Sequence, residues 1–417
     1  MADRLQLPNA IREEAFQGPL GEFVRLIEPS TEADPVAILL GSLVAFGNIS
    51  GRSAWYPVGY GGRQRTNLFA LIVGGTSAGR KGTAWTEVEH LFRQVDEDWS
   101  RDRIRSGLSS GEGLVNAVRN ASEPEDDDEL ADPGAEDKRL LVRESEFARV
   151  LEVGRRTGNT LSSDLRSLWD SGRAGALTRK NALTTTDAHV SLVADITPEE
   201  LRAKLDSVDL VNGLLNRFVP VLVHRTKTLA YPDEIPAPDL EKTIRTIRSA
   251  AMKASTVEKM RDAEATRPVW TEMYSRLSDD RDGPLGRLAA RASDHVRRMA
   301  MIYALADSSA IIRPEHLRAA EAVWNYSDAS AECIFGTPPP LDERLLQVIG
   351  QAGATGIYRS ELRDRIGQAR IRAEELDHAV ERLRTGGLVV EQKPMNGRPG
   401  RNPTILFATE NHVELPV

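Results

Sequence analysis

Apolar residues in the first half of this chain fall into short continuous runs separated by helical stripes. The clearest run is Leu68-Phe-Ala-Leu-Ile-Val73. It has the length of a strand buried on both faces of a parallel sheet. It leads straight into the glycine-rich stretch Gly74 to Gly82, and the spacing then predicts a helix from about Thr83 to Val95. Leu140-Leu-Val142 predicts a second strand, ending at Arg143-Glu-Ser-Glu146. Val190 to Ile196 predicts a third, followed by a helix from Glu199. Phe218 to Val223 predicts a fourth, after the turn residues Asn212-Gly213 and Asn216-Arg217. Strands alternating with helices imply an α/β fold with a parallel sheet.

On either side of this block the pattern changes. Leu20 to Ile27 has helical spacing, Asp34 and Pro35 cap and open a second helix, and Tyr60-Gly-Gly62 reads as a turn. Three prolines between Tyr231 and Pro238 mark a linker; Leu240 to about Phe335 is helical throughout, and Thr337-Pro-Pro-Pro340 is a second linker. Beyond it, helices are expected at Leu341 to Gln351, after Ser360, and at Arg372 to Arg384, closed by Gly386-Gly387. Leu388-Val-Val390 and Thr404 to Phe407 then form a hairpin around Asn396 to Asn402. Three helices and a two-stranded wing make a winged helix. The expected division is a helical N-terminal extension with a strand (1–66), a core (67–230), a helical lid (239–336) and the winged helix (341–410).

A chain of 417 residues allows two or three domains. Its 54 basic and 62 acidic residues leave a net charge of −8, so DNA contact has to come from local patches. A single cysteine, Cys333, excludes an intrachain disulfide and a cysteine-based zinc site. Met1 to Gln17 has no apolar signal core, and the longest apolar run, Ile38 to Gly47, is too short for a bilayer. The expectation is a cytoplasmic protein that does not enter membranes. Glu123 to Glu129 reads as a solvated acidic loop, and His189 as a packed strand residue. The seven histidines make no HxxxH or HExxH pair, and no Gly-x-Ser-x-Gly elbow is present.

Gly74 to Thr83 has the context of a Walker A loop, between a buried strand and a helix. Glycines let backbone N–H groups cradle phosphate oxygens, and the helix N-terminus adds its dipole. Gly75, Thr76, Ser77, Ala78, Gly79, Arg80 and Gly82 are the candidate cradle, Lys81 the phosphate-binding lysine, and Thr83 the hydroxyl for Mg²⁺. The spacing is shifted by one. With Lys81 as the motif lysine, Arg80 stands where glycine is expected and Gly82 where the hydroxyl is expected; alternatively Gly79-Arg80 takes the Gly-Lys place. Glu144 is the candidate metal carboxylate and Glu146 the base, though both residues also suit a solvated strand end. The third strand ends in Asp195 and Thr197; Thr197 either senses the γ-phosphate or caps the next helix.

The words Asn67-Leu-Phe-Ala-Leu-Ile-Val-Gly74, Arg80-Lys-Gly-Thr83, Gly107-Leu-Ser-Ser-Gly-Glu-Gly113, Glu144-Ser-Glu-Phe-Ala-Arg149, Gly158-Asn-Thr-Leu-Ser162 and Asn212-Gly-Leu-Leu-Asn-Arg-Phe218 carry a resemblance. The chain resembles a poorly characterised family of actinobacterial, phage and plasmid P-loop ATPases found beside primase modules, and more distantly the MCM-type AAA+ helicases. The resemblance covers roughly residues 30–335. It implies a P-loop NTPase fold of AAA+/RecA-like kind, ATP and Mg²⁺ as cofactors, and a homo-oligomeric ring, with a hexamer favoured. It further implies Arg217 as an arginine finger acting on a neighbouring subunit and Arg291 as a sensor on the lid helix; the bland alternatives are an ion pair and a surface arginine. Gly107 to Gly113 would lie over the nucleotide or a central channel.

In the winged helix, Lys393, Arg398 and Arg401 on the wing are the candidate DNA-phosphate contacts. Its third helix mixes arginines with acids and is poor material for reading a groove. The expectation is an ATP-dependent DNA translocase or helicase-like motor, acting on single-stranded or forked DNA and serving replication of a mobile element, with a primase or other replication protein as a further partner. The alternatives are a nucleotide-gated DNA-binding scaffold with weak or no hydrolysis, and a phage-defence ATPase.

Overall fold

Five parallel strands form the central sheet: β1 (Phe69–Val73), β2 (Ile104–Arg105), β3 (Arg139–Glu144), β4 (His189–Ile196) and β5 (Phe218–Leu222), running side by side in the order β2-β3-β4-β1-β5. The computed structural model describes residues 7–122, 131–175, 183–204, 213–336, 341–366, 372–392 and 404–409. β2 has no counterpart in the hydrophobic pattern, because two residues form no run. The neighbours β1 and β4 send their connections in opposite directions, β1 to the β2 edge and β4 across β1 to β5. In open parallel sheets such a reversal leaves a crevice at the carboxyl ends of the two strands.

Strand residues alternate between the two faces. Ala70, Ile72, Leu141, Val193 and Val221 face a core shared with α1 (Gly18–Ile27), α2 (Pro35–Ile49) and α3 (Lys81–Val95). On the other face the Phe218 ring lies 5.4 Å from Phe69 and 5.2 Å from Phe147. α2 starts where expected: Asp34 accepts from the Val36 amide at 3.0 Å, with Pro35 in the first turn. From Val36 to Ile49 every residue of it is buried. Its one amide side chain, Asn48, is satisfied by donating to the carbonyls of His189 (2.9 Å) and Leu140 (3.1 Å) and accepting from Trp99 at 3.0 Å.

α4 (Leu161–Ser171) ends at Gly172, φ +68°, a left-handed helix stop. α5 (Ala292–Ala306) and α6 (Pro314–Phe335) complete the core. Tyr326 of α6 donates to Leu222 of β5 at 2.8 Å, and Tyr303 of α5 donates to the Ala15 carbonyl. Leu7–Phe335, which spans the expected extension, core and lid, is one compact unit. A helix apolar all round cannot be a solvent-facing extension; it has to be covered on every side.

Gly336–Val417 belongs to a second compact unit. It contains α7 (Leu341–Gln351), α8 (Leu362–Ile366) and α9 (Ala373–Thr385), with an antiparallel sheet of β6 (Ile357–Tyr358), β7 (Val389–Gln392) and β8 (Ile405–Ala408) in the order β6-β8-β7. β6 was not expected. Leu345, Ile349, Val380, Leu383 and Leu406 fill its core. Lys393, Arg398 and Arg401 lie outside the described residues, as do Glu123 to Glu129 and Thr337 to Pro340. Among the described residues no helix is long and apolar enough to cross a membrane.

Candidate functional site

The chain passes from β1 to α3 through Gly74 to Arg80. The Gly74 amide donates to Ile196 at 3.1 Å, across the β1/β4 reversal. A Cβ on Gly74 would come within 2.8 Å of the Val223 carbonyl, so this position needs glycine. Gly79 donates to Gly75 at 2.9 Å and Ala78 to Thr76 at 2.6 Å, closing a tight turn with residues 75–78 exposed. Ser77 (φ 58°) and Arg80 (φ 45°) are left-handed, a conformation that costs a side-chain-bearing residue about 1–2 kcal/mol. α3 begins at Lys81 with no side-chain cap. The first-turn amides of Lys81, Gly82 and Thr83 therefore have no acceptor within the helix.

The ammonium of Lys81 folds over the loop and donates to the Gly74 carbonyl. Arg80 turns away to Glu32, 2.6 Å off, beside Arg225, which grips the same carboxylate at 2.6 Å. The Arg225 hydrogen bond, with the Arg80 charge added, holds Glu32 down at about 2. Of the two registers the sequence leaves open, the structure has Lys81 over the loop and Arg80 bracing it from outside.

Burial pulls Lys81 below the ordinary lysine range, against Asp195 and Glu200, which hold it up. Asp195 lies opposite Ile72 of β1, and Arg143 opposite Val193 of β4. Both thus project from the face that carries α3. The Arg143 guanidinium is bound to the Asp195 carboxylate, donates to the Glu144 carbonyl at 3.1 Å, and lies 5.4 Å from the ring of Trp85 on α3. Burial pushes the Asp195 carboxyl up while Arg143 opposes it. Two cations against one buried carboxylate, beside free helix amides, make an environment that favours an anion.

Glu144, one residue on, points to the opposite face. Its Oε1 accepts from the amides of Gly107 (2.6 Å) and Leu108 (2.5 Å), and its Oε2 lies 3.8 Å from Arg149. This carboxylate fixes the start of the Gly107 to Gly113 segment, where Ser110 accepts from Gly113 at 3.1 Å to cap the helix Gly111–Asn116. Glu146 is exposed ahead of the helix Phe147–Gly154. Thr197 and Glu200 form a capping box: the Glu200 amide donates to Thr197 Oγ1 at 3.2 Å and the Thr197 amide to Glu200 Oε2 at 3.1 Å.

The loop's first-turn amides and Lys81 suit a phosphate chain, while Thr83 and Glu144, the expected Mg²⁺ residues, lie on different elements, α3 and β3. Gly82 follows the lysine directly, and Thr83 sits about 100° further round the helix. Glu144 is occupied by two backbone amides. Among the described residues no group of three or more His, Cys, Asp or Glu side chains is placed to hold a metal.

Arg217 and Arg291 are elsewhere. Arg217 precedes β5, whose Phe218 is opposite Phe69 at the amino end of β1, about 13 Å along the strand from the loop. Arg217 lies 2.6 Å from Asp170 Oδ2, and Arg291 3.3 Å from Asp170 Oδ1. Arg298 donates to Asn67 Oδ1 at 2.5 Å and the Trp169 carbonyl at 3.1 Å. The three guanidinium carbons lie 5.7, 5.1 and 3.7 Å from the Trp169 ring. Burial lowers Arg217, and its Nε has no hydrogen-bond partner. Arg291, expected as a sensor on the lid helix, precedes α5 and shares Asp170 with Arg217.

No protein-family model matches the chain, and comparison with curated proteins gives no match.

Sequence reasoning missed the roles of Arg143, Trp85, Trp169 and Asp170. Arg143 carried a signal, a charge ending a buried strand with the face set by alternation. Asp170 carried none, because its partners are 47 and 121 residues away, at Arg217 and Arg291.

Proposed function

We propose that Leu7–Phe335 is a P-loop nucleotide-binding unit of AAA+ kind, taking ATP at Gly74 to Thr83, and that the chain works on DNA as a ring-forming motor. The observation that carries this is Lys81, folded over a strained glycine loop at the β1/β4 reversal, beside helix amides that have no acceptor. Lys81 binds the terminal phosphates and the first-turn amides hold them. Arg143 and Asp195 fix the floor beneath. At the opposite end of the sheet Arg291 is partly exposed toward a neighbour, and Arg217, buried on Asp170, would have to leave that carboxylate to reach a neighbour's nucleotide as an arginine finger does. In the second unit, three helices with a small antiparallel sheet support the winged-helix reading, with DNA as its partner through Lys393, Arg398 and Arg401.

A second reading has an observation of its own. Glu144 is spent on the Gly107 and Leu108 amides, which favours a nucleotide-gated DNA-binding scaffold with slow turnover. ATP hydrolysis with and without DNA, beside Lys81→Ala, separates the two. Turnover stimulated by DNA and lost in the variant supports the motor; tight binding without turnover supports the scaffold; no uptake of ATP by calorimetry at millimolar concentration removes both. A chain that stays monomeric with nucleotide and DNA present removes the ring.

A further inference from the structure

Between α2 and β1 the chain forms a short antiparallel hairpin, Tyr56–Val58 paired with Gly62–Gln64. Its base is anchored. Buried Gln64 donates to the Asp294 carbonyl at 3.0 Å, Tyr56 donates to Asp262 at 2.8 Å, and Trp55 exchanges 2.8 Å backbone hydrogen bonds with the segment Glu258 to Met260. Its tip packs on nothing: residues 57–63 are all exposed, and Tyr60 is fully so, at 108%. Gly59 (φ +56°) and Gly61 (φ +84°) turn the backbone so that the ring stands out between them.

A single exposed aromatic is ordinary on a protein surface; here the charge around it adds a second observation. The Arg63 guanidinium lies 4.6 Å and the Lys259 ammonium 5.7 Å from the ring of Trp55, and neither has a carboxylate partner among the described residues. From Pro35 to Thr86 the sequence contains no Asp or Glu, while Arg52, Arg63 and Arg65 flank the hairpin. The carboxylates that face it from neighbouring elements are largely committed. Asp187 lies 3.7 Å from Arg52, Asp262 is held by Arg297 at 2.7 Å, and Asp294 pairs with Arg291 at 3.3 Å; Glu258, next to Lys259, is solvent-exposed.

We propose that this hairpin is a contact for single-stranded nucleic acid, with an unpaired base stacked on Tyr60 and the adjoining phosphates against Arg63 and Lys259. Aromatic rings on a basic track are how single strands are held without sequence preference, since every base offers a π-face. A duplex hides those faces, and a three-residue Gly-Tyr-Gly tip presents no helix to a groove. The proposal rests on the nucleic-acid reading above and names the surface that does the binding, distinct from the wing.

The test uses the full chain and a fluorescein-labelled oligothymidylate, followed by anisotropy over a salt series. Tyr60→Ala is expected to weaken binding roughly tenfold or more, and Tyr60→Phe to keep it. Arg63→Ala is expected to flatten the log–log salt slope by about 0.7, the share of one phosphate contact on a single strand. Melting of each variant with the unaltered chain shows that the fold is intact. Binding by the unaltered chain with Tyr60→Ala and Arg63→Ala unchanged overturns the hairpin and leaves the nucleic-acid reading standing, as does a preference for duplex that neither variant affects. No binding of single strand or duplex by the unaltered chain overturns both.

Discussion

Arg217 is bound to Asp170 at 2.6 Å, and the other oxygen of the same carboxylate lies 3.3 Å from Arg291. One acid at the end of α4 thus holds two arginines from separate elements, one ahead of β5 and one ahead of α5. Arg217 is buried and its Nε is unpartnered, so this carboxylate is its principal counter-charge. Asp170→Ala is expected to lower stability by about 1–3 kcal/mol, the cost of leaving a buried charged donor short of its partner. Urea denaturation checks it; an unchanged midpoint would mean that solvent replaces Asp170 without loss.

Lys81→Ala should weaken ATP binding about tenfold or more, as expected for losing a charge-assisted contact of about 1.5–3 kcal/mol. The thermal midpoint should hold or rise, because the lysine is partly buried and among the described residues its side chain donates only to the Gly74 carbonyl. Arg80→Ala should leave affinity closer to that of the unaltered chain, since Arg80 faces Glu32. Calorimetry on the two variants would reverse this assignment if Arg80→Ala were the one that lost ATP.

Glu144→Ala is expected to destabilise the unit by about 1–3 kcal/mol through the amides of Gly107 and Leu108, left without their acceptor. Glu144→Gln keeps one accepting oxygen and should recover most of that loss. If instead Gln matches Ala in stability, the two amides do not depend on this side chain.

His189 and His295 are both held neutral by burial, each lowered from an ordinary 6.5 to about 3. The unfolded chain takes up their protons first. The stability they protect is therefore fully present above pH 6.5 and is lost as the pH falls toward 3, at up to about 1.4 kcal/mol per pH unit for each histidine. Urea midpoints at pH 7.5 and pH 5 measure it. Equal midpoints, with carboxylate titration still negligible at pH 5, would contradict the assignment.

Much of the fold was legible because buried parallel strands write themselves as apolar runs. β1, β3, β4 and β5 fall within two residues of their expected bounds, and the Asp34-Pro35 start of α2 is where it was read. The role of α2 was not legible. Its apolar run from Ile38 to Gly47 is too short for a bilayer, and what covers it includes residues far along the chain, in α5. The site was half legible for a related reason. The loop and Lys81 are local in sequence. The partner of Glu144 is a loop 36 and 37 residues earlier, that of Arg143 is 52 residues later, and no spacing rule reports such distances. Side-chain alternation could have separated Arg143 from Glu144, since neighbouring strand residues cannot share a face.

α2 also constrains how the protein is made. It is an early segment of the chain, yet its burial depends on α5, near residue 300. On the ribosome, the sheet strands emerge long before the helices that shield them. A nascent chain stopped near residue 230 would have α1, α3 and the sheet against this apolar rod but not α5, leaving one side of it uncovered. Release before synthesis passes α6 should therefore yield a chaperone client rather than a working fragment, and genetic fusions that split the unit there should fail for the same reason.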